Sequence, residues 1–273
     1  MSHRRVAAGR GAGWIVDGFD IVRRNPGTFA LIGLVFGAIV SVPLLGAIVS
    51  LLSPVFYAGY LSAVRTEDRG GRAQVGQVFD GFAKPGAFLR MLPIVLVSIG
   101  VGVLALIVMV AFMGGELMAL AQAGTTDPSP EQLAALAGPF LQSLVVLLPI
   151  GLLFGWTSFF AQPRAMLGEV SGLRALGDGF RALWSNLPAL LVNLLCWIVI
   201  GVVLTIGIGL FSLLGAALGS LLQFVVQFVM NMLLMAVVAA IYVPSMYRAW
   251  QEVFGDDAAT EVPPPAPQGY TAF

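Results

Sequence analysis

The stretch PGTFALIGLVFGAIVSVPLLGAIVSLLSPVFYAGYLSAV, Pro26 to Val64, carries no charged side chain. A membrane-spanning helix takes about 20 residues, so this stretch is too long for one span and barely long enough for two. The choice decides the fold, because it sets the side on which every later segment lies. Both flanks are basic: Arg4, Arg5, Arg10, Arg23 and Arg24 precede the stretch, and Arg65, Arg69 and Arg72 follow it. A single crossing would put these clusters on opposite faces, against the positive-inside rule. The stretch therefore reads as a hairpin that turns at Val42-Pro43-Leu44-Leu45-Gly46. Its first arm is short, about 24 Å at 1.5 Å per residue, and stands nearly upright or thins the bilayer locally.

Three further apolar stretches lie outward from the first: Met91–Met113, Pro139–Pro163 and Leu187–Tyr247. The last is long enough for two spans. The expected fold class is all-α, a polytopic membrane protein with about six transmembrane helices, near 27–42, 45–64, 91–113, 139–161, 187–212 and 219–247. Every Lys and Arg then falls on one side, in the N-terminus, the 65–90 and 164–186 loops, or the C-terminus. The opposite side holds only Glu116, Asp127 and Glu131. Both termini are thus expected to be cytoplasmic. The implied organisation is a cytoplasmic N-terminus with an interfacial helix (1–25), a transmembrane domain (26–250) and a disordered cytoplasmic tail (251–273). The tail contains Pro263-Pro-Pro-Ala-Pro.

Composition agrees. Of 273 residues, 58% are hydrophobic and only 10% charged; net charge is zero and mean hydropathy is +0.92. Soluble domains carry about 25% charged residues, so an ordinary water-soluble enzyme is excluded, and nothing is basic enough to suggest nucleic acid. With one cysteine, Cys196, and one histidine, His3, no intramolecular disulfide can form, and without a His/Cys cluster, HExxH or CxxC no zinc or haem site, metal or cofactor is expected. Cys196 reads as an inert buried thiol, and His3 as part of a mobile terminus. Arg4, Arg5 and Arg10 resemble the charged start of a signal peptide, but Asp17, Asp20, Arg23 and Arg24 interrupt the chain before any long apolar run.

Asp-Gly-Phe occurs at 17–19, 80–82 and 178–180, each time in a short amphipathic segment before an odd-numbered span. In the first, Ile15, Phe19 and Val22 share one face and Asp17, Asp20 and Arg24 another. In the third, Leu173, Leu176, Phe180 and Leu183 oppose Arg174, Asp178, Arg181 and Ser185. Such spacing suits a helix lying in the interface. Asp20 with Arg24, Asp80 with Lys84, and Arg174 with Asp178 are i,i+4 pairs that support these helices. Asn25-Pro26 and Asn186-Leu-Pro188 suit a helix cap and start. Pro54 to Arg65, Pro163-Arg164 and Pro244 to Arg248 place Pro, then Arg, in the even spans alike. The unit suggested is interfacial helix, span, outer turn, span, repeated three times; chance recurrence in a Gly- and Phe-rich chain is the competing account. Outside the repeat, Ser129 or Pro130 is expected to open a short helix after the outer loop.

The expected spans hold no ionisable residue well inside the bilayer, which argues against a proton-coupled pump. Gln223, Gln227 and Asn231 follow one another at i, i+4, i+8 and share a helix face; Asn193 and Thr205 lie on the preceding span. Asn193, Gln223, Gln227 and Asn231 are therefore the candidate binding residues, for a headgroup or a small polar solute. The competing account is interhelical hydrogen bonding, worth about 0.6 kcal/mol each. Gly33/Gly37, Gly151/Gly155 and Gly215/Gly219 have the spacing that permits close helix approach, and Gly201, Gly207 and Gly209 read as packing residues. Pro93 and Pro149 are expected to kink their spans. Gly9-Arg-Gly11-Ala-Gly13 lacks the strand and the Lys-Ser/Thr of a phosphate loop. Without a usable histidine, an enzyme would have to draw on surface carboxylates at Asp17, Asp80, Asp178, Glu67 or Glu169, and convergence of the three aspartates on a cation is the less favoured reading. No catalytic residues are expected.

The opening run from Ala8 to Phe19 with Arg23-Arg24-Asn25-Pro26, the Ser53-Pro54-Val-Phe to Gly59 run and Val78-Phe79-Asp80-Gly81-Phe82 together resemble a family of uncharacterised proteobacterial polytopic inner-membrane proteins. That family is loosely similar to the membrane domains beside some glycerophosphodiester phosphodiesterases. The resemblance covers roughly the first 90 residues well and the rest by layout only. It implies a bacterial inner-membrane location and a helical fold, with no established activity; the phosphodiesterase catalytic domain is not in this chain. The function expected is a non-enzymatic membrane protein that organises lipid or a partner, with a homo-oligomer as one form of partner. The alternative is a transporter or channel for a neutral or lipid-like solute.

Overall fold

The structure, a computed structural model, describes residues 3–42, 45–123, 129–216 and 220–255. Among these it is all-helical, at 88% helix with no strand. In order the helices are α1 (Arg10–Val22), α2 (Pro26–Ser41), α3 (Leu45–Leu51), α4 (Ser53–Asp68), a 3₁₀ turn (Val75–Phe79), α5 (Asp80–Ala83), α6 (Ala87–Ala123), α7 (Pro130–Met166), α8 (Gly172–Ser185), α9 (Leu187–Ala216) and α10 (Ser220–Phe254). Ser129 caps α7, which opens where a short helix is expected but runs on unbroken to Met166: the Ser129 hydroxyl accepts from the Gln132 amide, and the Gln132 side chain accepts from the Ser129 amide.

Four helices are long and apolar enough to cross a bilayer: Ala87–Gln122, Pro130–Met166, Leu187–Leu213 and Leu222–Phe254. A fifth candidate is the bent pair α1 and α2, which meet at 106°. These helices fit an integral membrane protein. The span expected at 45–64 is instead two helices, α3 and α4, broken at Leu52. The break has a local cause: Pro54 has no amide hydrogen to continue α3, and it stands in the first turn of a new helix, where none is needed. Most of α4 is buried, from Val55 through Val64, so it is an inner element of the protein. The expected turn residues Pro43 and Leu44, Asp127 and most of the outer loop, Gly219, and the tail from residue 256 lie outside the described residues.

Side chains and backbone tie the four basic segments together at one end of the molecule. His3 Nε2 lies 2.6 Å from Ser185 Oγ, and the Arg4 amide donates to the Val253 carbonyl at 2.8 Å. Arg65 donates to the Leu167 carbonyl and Arg90 to that of Ala165, both at 3.2 Å. Arg248 grips Asp68 with two nitrogens, at 2.8 and 3.2 Å. The N-terminal residues from His3 onward are therefore held, not mobile. The two ends of stretch 26–64 meet, Asn25 donating to Glu67, but of the two spans expected there only α2 counts toward a crossing, in the bent pair with α1. The same end holds the aromatic core. Trp14 packs on Phe159 and Phe160, and Tyr242 touches Tyr57, Phe159 and Trp197, with centroids 5.8–6.1 Å apart.

The three Asp-Gly-Phe glycines share one structural role. Each is buried where its segment crosses a longer helix, backbone on backbone. A Cβ on Gly18 would lie 2.7 Å from the Pro244 carbonyl carbon and the Ser245 amide of α10. One on Gly179 would lie 2.5 Å from the Thr157 carbonyl oxygen of α7, and one on Gly81 would overlap the Val55 carbonyl of α4. Gly33 and Gly37 likewise sit against α10, at Ala236 and Met232. Gly151, Gly155, Gly201, Gly207 and Gly209 differ: none would meet an atom within 4 Å, so the packing expected of them is absent.

The inward faces also differ from expectation. On α1 the buried line is Gly11, Trp14, Gly18, Ile21 and Val22; Phe19 turns outward and Val22 inward. On α8 it is Gly172, Ala175, Gly179, Ala182 and Leu183, while Leu173, Phe180 and Trp184 are exposed. Hydrophobicity alone does not distinguish a buried apolar face from an exposed one; on both helices the buried face is the one that carries the glycines. The contacts also predict the effect of added bulk. Gly179→Leu should lower stability by about 1–3 kcal/mol through overpacking. Gly177→Ala, which meets open space, should be neutral or stabilising by up to about 1 kcal/mol. Thermal unfolding of both variants in one detergent checks this; equal melting temperatures would remove the argument from close approach.

Candidate functional site

The expected polar stripe does not form a single lining. Asn193 is buried where α9 crosses α1, and its side-chain amide donates to the Gly11 carbonyl at 2.9 Å. Gly11 comes so close to α9 that a Cβ there would overlap the Ala189 carbonyl. Asn231 donates to Ser41 Oγ at 3.2 Å, joining α10 to the end of α2. Gln227 accepts from Ser212 Oγ at 3.2 Å, joining α10 to α9. Gln227 and Asn231 share an open groove with Ser41, Val42, Phe224 and Phe228, whereas Gln223 is exposed. The structure thus brings Gln227 and Asn231 together and leaves Asn193 on another helix contact.

The two asparagines expected as caps act as tethers. The Asn25 side chain donates to Glu67, at 3.2 Å. Asn186 accepts from the Val6 amide at 2.9 Å and donates to the Arg4 and Ala182 carbonyls. The ion pairs also depart from i,i+4 spacing. Asp80 does meet Lys84, at 3.0 Å. Asp20, however, pairs with Arg23, and Arg24 points to Asp68. Asp178 takes Arg164 at 3.4 Å and Arg181 at 3.6 Å instead of Arg174. Asp20–Arg23 and Asp178–Arg181 are i,i+3 neighbours, while Arg164, on another helix, reaches Asp178 from a site where little water screens the pair. The three Asp-Gly-Phe aspartates therefore have separate partners and do not converge on one cation.

Two charged cavities open at the basic end. The smaller, about 380 Å³, is lined by Arg10, Asp17, Asp20, Arg24, Arg248, Gln251 and Glu252. Its charges balance. Arg10 bridges Asp17 at 2.8 Å and Glu252 at 2.9 Å, and these carboxylates, Asp17 first, raise its pKa. The Trp14 indole donates to Glu252 at 2.7 Å. This is a clasp between α1 and α10.

The larger cavity, about 510 Å³, lies between α4, the turn into α6 and the end of α7. Its charged lining is Arg65, Arg69, Lys84, Arg90 and Glu169. Ser62 and Thr66 also face it, but their hydroxyls donate elsewhere, Ser62 to Asp80 at 2.6 Å and Thr66 to the Ser62 carbonyl at 2.9 Å. Sequence reading used these cations only to orient the chain. The missed signal was the spacing of Ser62, Arg65, Thr66 and Arg69, which places all four on one helix face.

The third feature is the set of three outward phenylalanines. Each Asp-Gly-Phe turns its glycine to the protein and leaves its phenylalanine exposed: Phe19 by 47%, Phe82 by 39% and Phe180 by 44%. Comparison of the chain with protein families, curated proteins and solved structures finds no match.

Two variants separate the Asp68 cluster from the stripe. Asp68→Ala removes the acceptor shared by Tyr247, Arg248 and Gln251. It should cost about 2–3 kcal/mol, as for hydrogen bonds to a charged group. Asn231→Leu should cost under about 1 kcal/mol, as for an average hydrogen bond between membrane helices. Chemical unfolding of each, compared with wild type, checks the ranking.

Proposed function

We propose that this chain is a multi-pass protein of a bacterial inner membrane, without enzymatic activity, that organises lipid at its cytoplasmic face. The observation that carries this reading is the outward phenylalanine of each Asp-Gly-Phe, set at the end where all the cations gather. Such a segment places its glycine against the protein and offers bulky apolar side chains to its surroundings. On α8 the offered face is Leu173, Phe180 and Trp184. Bulky apolar side chains beside arginines suit the boundary between headgroups and acyl chains. The cytoplasmic leaflet is anionic and attracts such a surface.

The orientation follows from the same charges: the basic end is cytoplasmic by the positive-inside rule, and both termini lie there. Six crossings complete the proposal, with α2 and α3–α4 as the short arms of a first hairpin, then α6 with α7 and α9 with α10. Each hairpin is preceded by an Asp-Gly-Phe segment, which is the threefold repeat. The transporter alternative rests on the polar stripe. Asn193, Gln227 and Asn231 each have a hydrogen-bonding partner on a neighbouring helix, and this favours helix association over a solute path.

Extraction into native lipid patches without detergent, followed by mass spectrometry of the lipids, tests the reading. The wild type should carry anionic phospholipid enriched over the bulk membrane. The double variant Phe19→Ser/Phe180→Ser should fold and lose that enrichment, because each exposed phenylalanine withdrawn from lipid forfeits about 1.5–3 kcal/mol. A wild-type lipid complement equal to the bulk membrane would overturn the proposal.

A further inference from the structure

The cavity between α4, the turn into α6 and the end of α7 is large enough for a headgroup and unbalanced in charge. Four cationic side chains, Arg65, Arg69, Lys84 and Arg90, meet one lining carboxylate, Glu169. A second carboxylate, Asp80, stands behind Lys84 at 3.0 Å and Ser62 at 2.6 Å. Glu67 accepts from the Ala73 amide and from Asn25, and Asp68 holds Arg248. The cavity therefore keeps an excess of positive charge, unlike its neutral neighbour lined by Arg10, Arg24 and Arg248.

We propose that this cavity binds a phosphate group, with Arg69, Lys84 and Arg90 as its donors. The chemistry fits these three side chains. Arg90 uses Nε on the Ala165 carbonyl at 3.2 Å, which fixes its guanidinium. Its two terminal nitrogens have no other protein partner among the described residues and match the fork that phosphate oxygens accept. Lys84 gives its ammonium to Ser62 and Asp80 and retains a third hydrogen. Arg69, the exposed residue that follows α4, supplies the outer wall.

The phosphate has two possible sources, a lipid headgroup or a soluble phosphate compound. One feature favours lipid. Val97 follows Arg90 by seven residues on α6, so both share a face. Val97 lines an apolar groove of about 370 Å³ with Val101, Phe154 and Leu176. A headgroup on Arg90 would thus have a trough for its chain about 10 Å further along α6, at 1.5 Å per residue. The lipid source rests on the reading that this end lies at headgroup depth; the phosphate site does not.

The test uses the full chain in nanodiscs of phosphatidylcholine, with or without phosphatidylglycerol. Retained lipid is read by native mass spectrometry, and inorganic phosphate is titrated into the phosphatidylcholine discs. Wild type should retain phosphatidylglycerol. Arg69→Gln/Lys84→Gln should weaken retention about 30-fold, the loss expected for two cations near a surface. Glu169→Gln, which removes the competing carboxylate, should strengthen it about fivefold on the same scale. It also serves if the double variant fails to fold; unchanged retention in Glu169→Gln would then overturn the site. Phosphate binding that falls in the double variant, without phosphatidylglycerol retention, would keep the site, assign it to a soluble ligand and overturn the lipid reading. Phosphatidylglycerol retention that the double variant leaves intact, with no phosphate binding, would overturn the site and leave lipid organisation standing. Neither retention nor phosphate binding in wild type would overturn both.

Discussion

Helix backbones meet with no side chain between them at Gly18, Gly81 and Gly179, and the arrangement of the basic end depends on those contacts. Between membrane helices the hydrophobic effect supplies no net attraction, because lipid is as apolar as leucine. Association then rests on close packing, which glycine permits and any larger residue obstructs. On α8 the contact is made mainly by Gly172, Ala175, Gly179 and Ala182, with Leu173, Phe180 and Trp184 outside, whereas α1 buries Trp14 and Ile21 beside its glycines. The glycine stripe is what makes the outward phenylalanines available.

Electrostatics reinforces the same end without determining its packing. Arg164 is almost wholly buried, with 2% of its side chain exposed; it pairs with Asp178 on α8 and lies 5.4 Å over the Phe254 ring. One charge thus joins α7, α8 and the end of α10. A buried cation without such partners would be costly, so these contacts favour one arrangement of the three helices. Arg248 and Asp68 do the same for α4 and α10, with Tyr247 and Gln251 sharing the carboxylate. The clasp of Arg10, Asp17 and Glu252 satisfies its own charges. The cavity beside Lys84 and Arg90 has more cations than carboxylates, and this imbalance separates a binding site from a structural one.

Much of the fold was legible from composition and charge. The apolar runs predicted helices, and the basic flanks of 26–64 predicted that this stretch returns to its own side. The tethers among residues 3–10, 65–90, 164–186 and 248–254 agree with that. Less of the candidate sites was legible. Gln227 and Asn231 share a groove as their spacing implied, but Asn193 serves another contact. The cavity draws Arg69, Lys84, Arg90 and Glu169 from separate parts of the chain, and no local pattern joins them.

The sequence by itself determined the helical class, the presence of several helices apolar enough to cross a membrane and the recurrence of Asp-Gly-Phe. These follow from hydropathy, charge sign and local spacing, which act along the chain. Tertiary structure alone decided which apolar face of α1 and α8 meets protein, that α4 is an inner helix restarting at Ser53–Pro54, and which carboxylate each arginine takes. Those outcomes depend on the distance of approach between helices far apart in sequence. That distance is set by side-chain volume at the crossing, which hydrophobic periodicity does not measure.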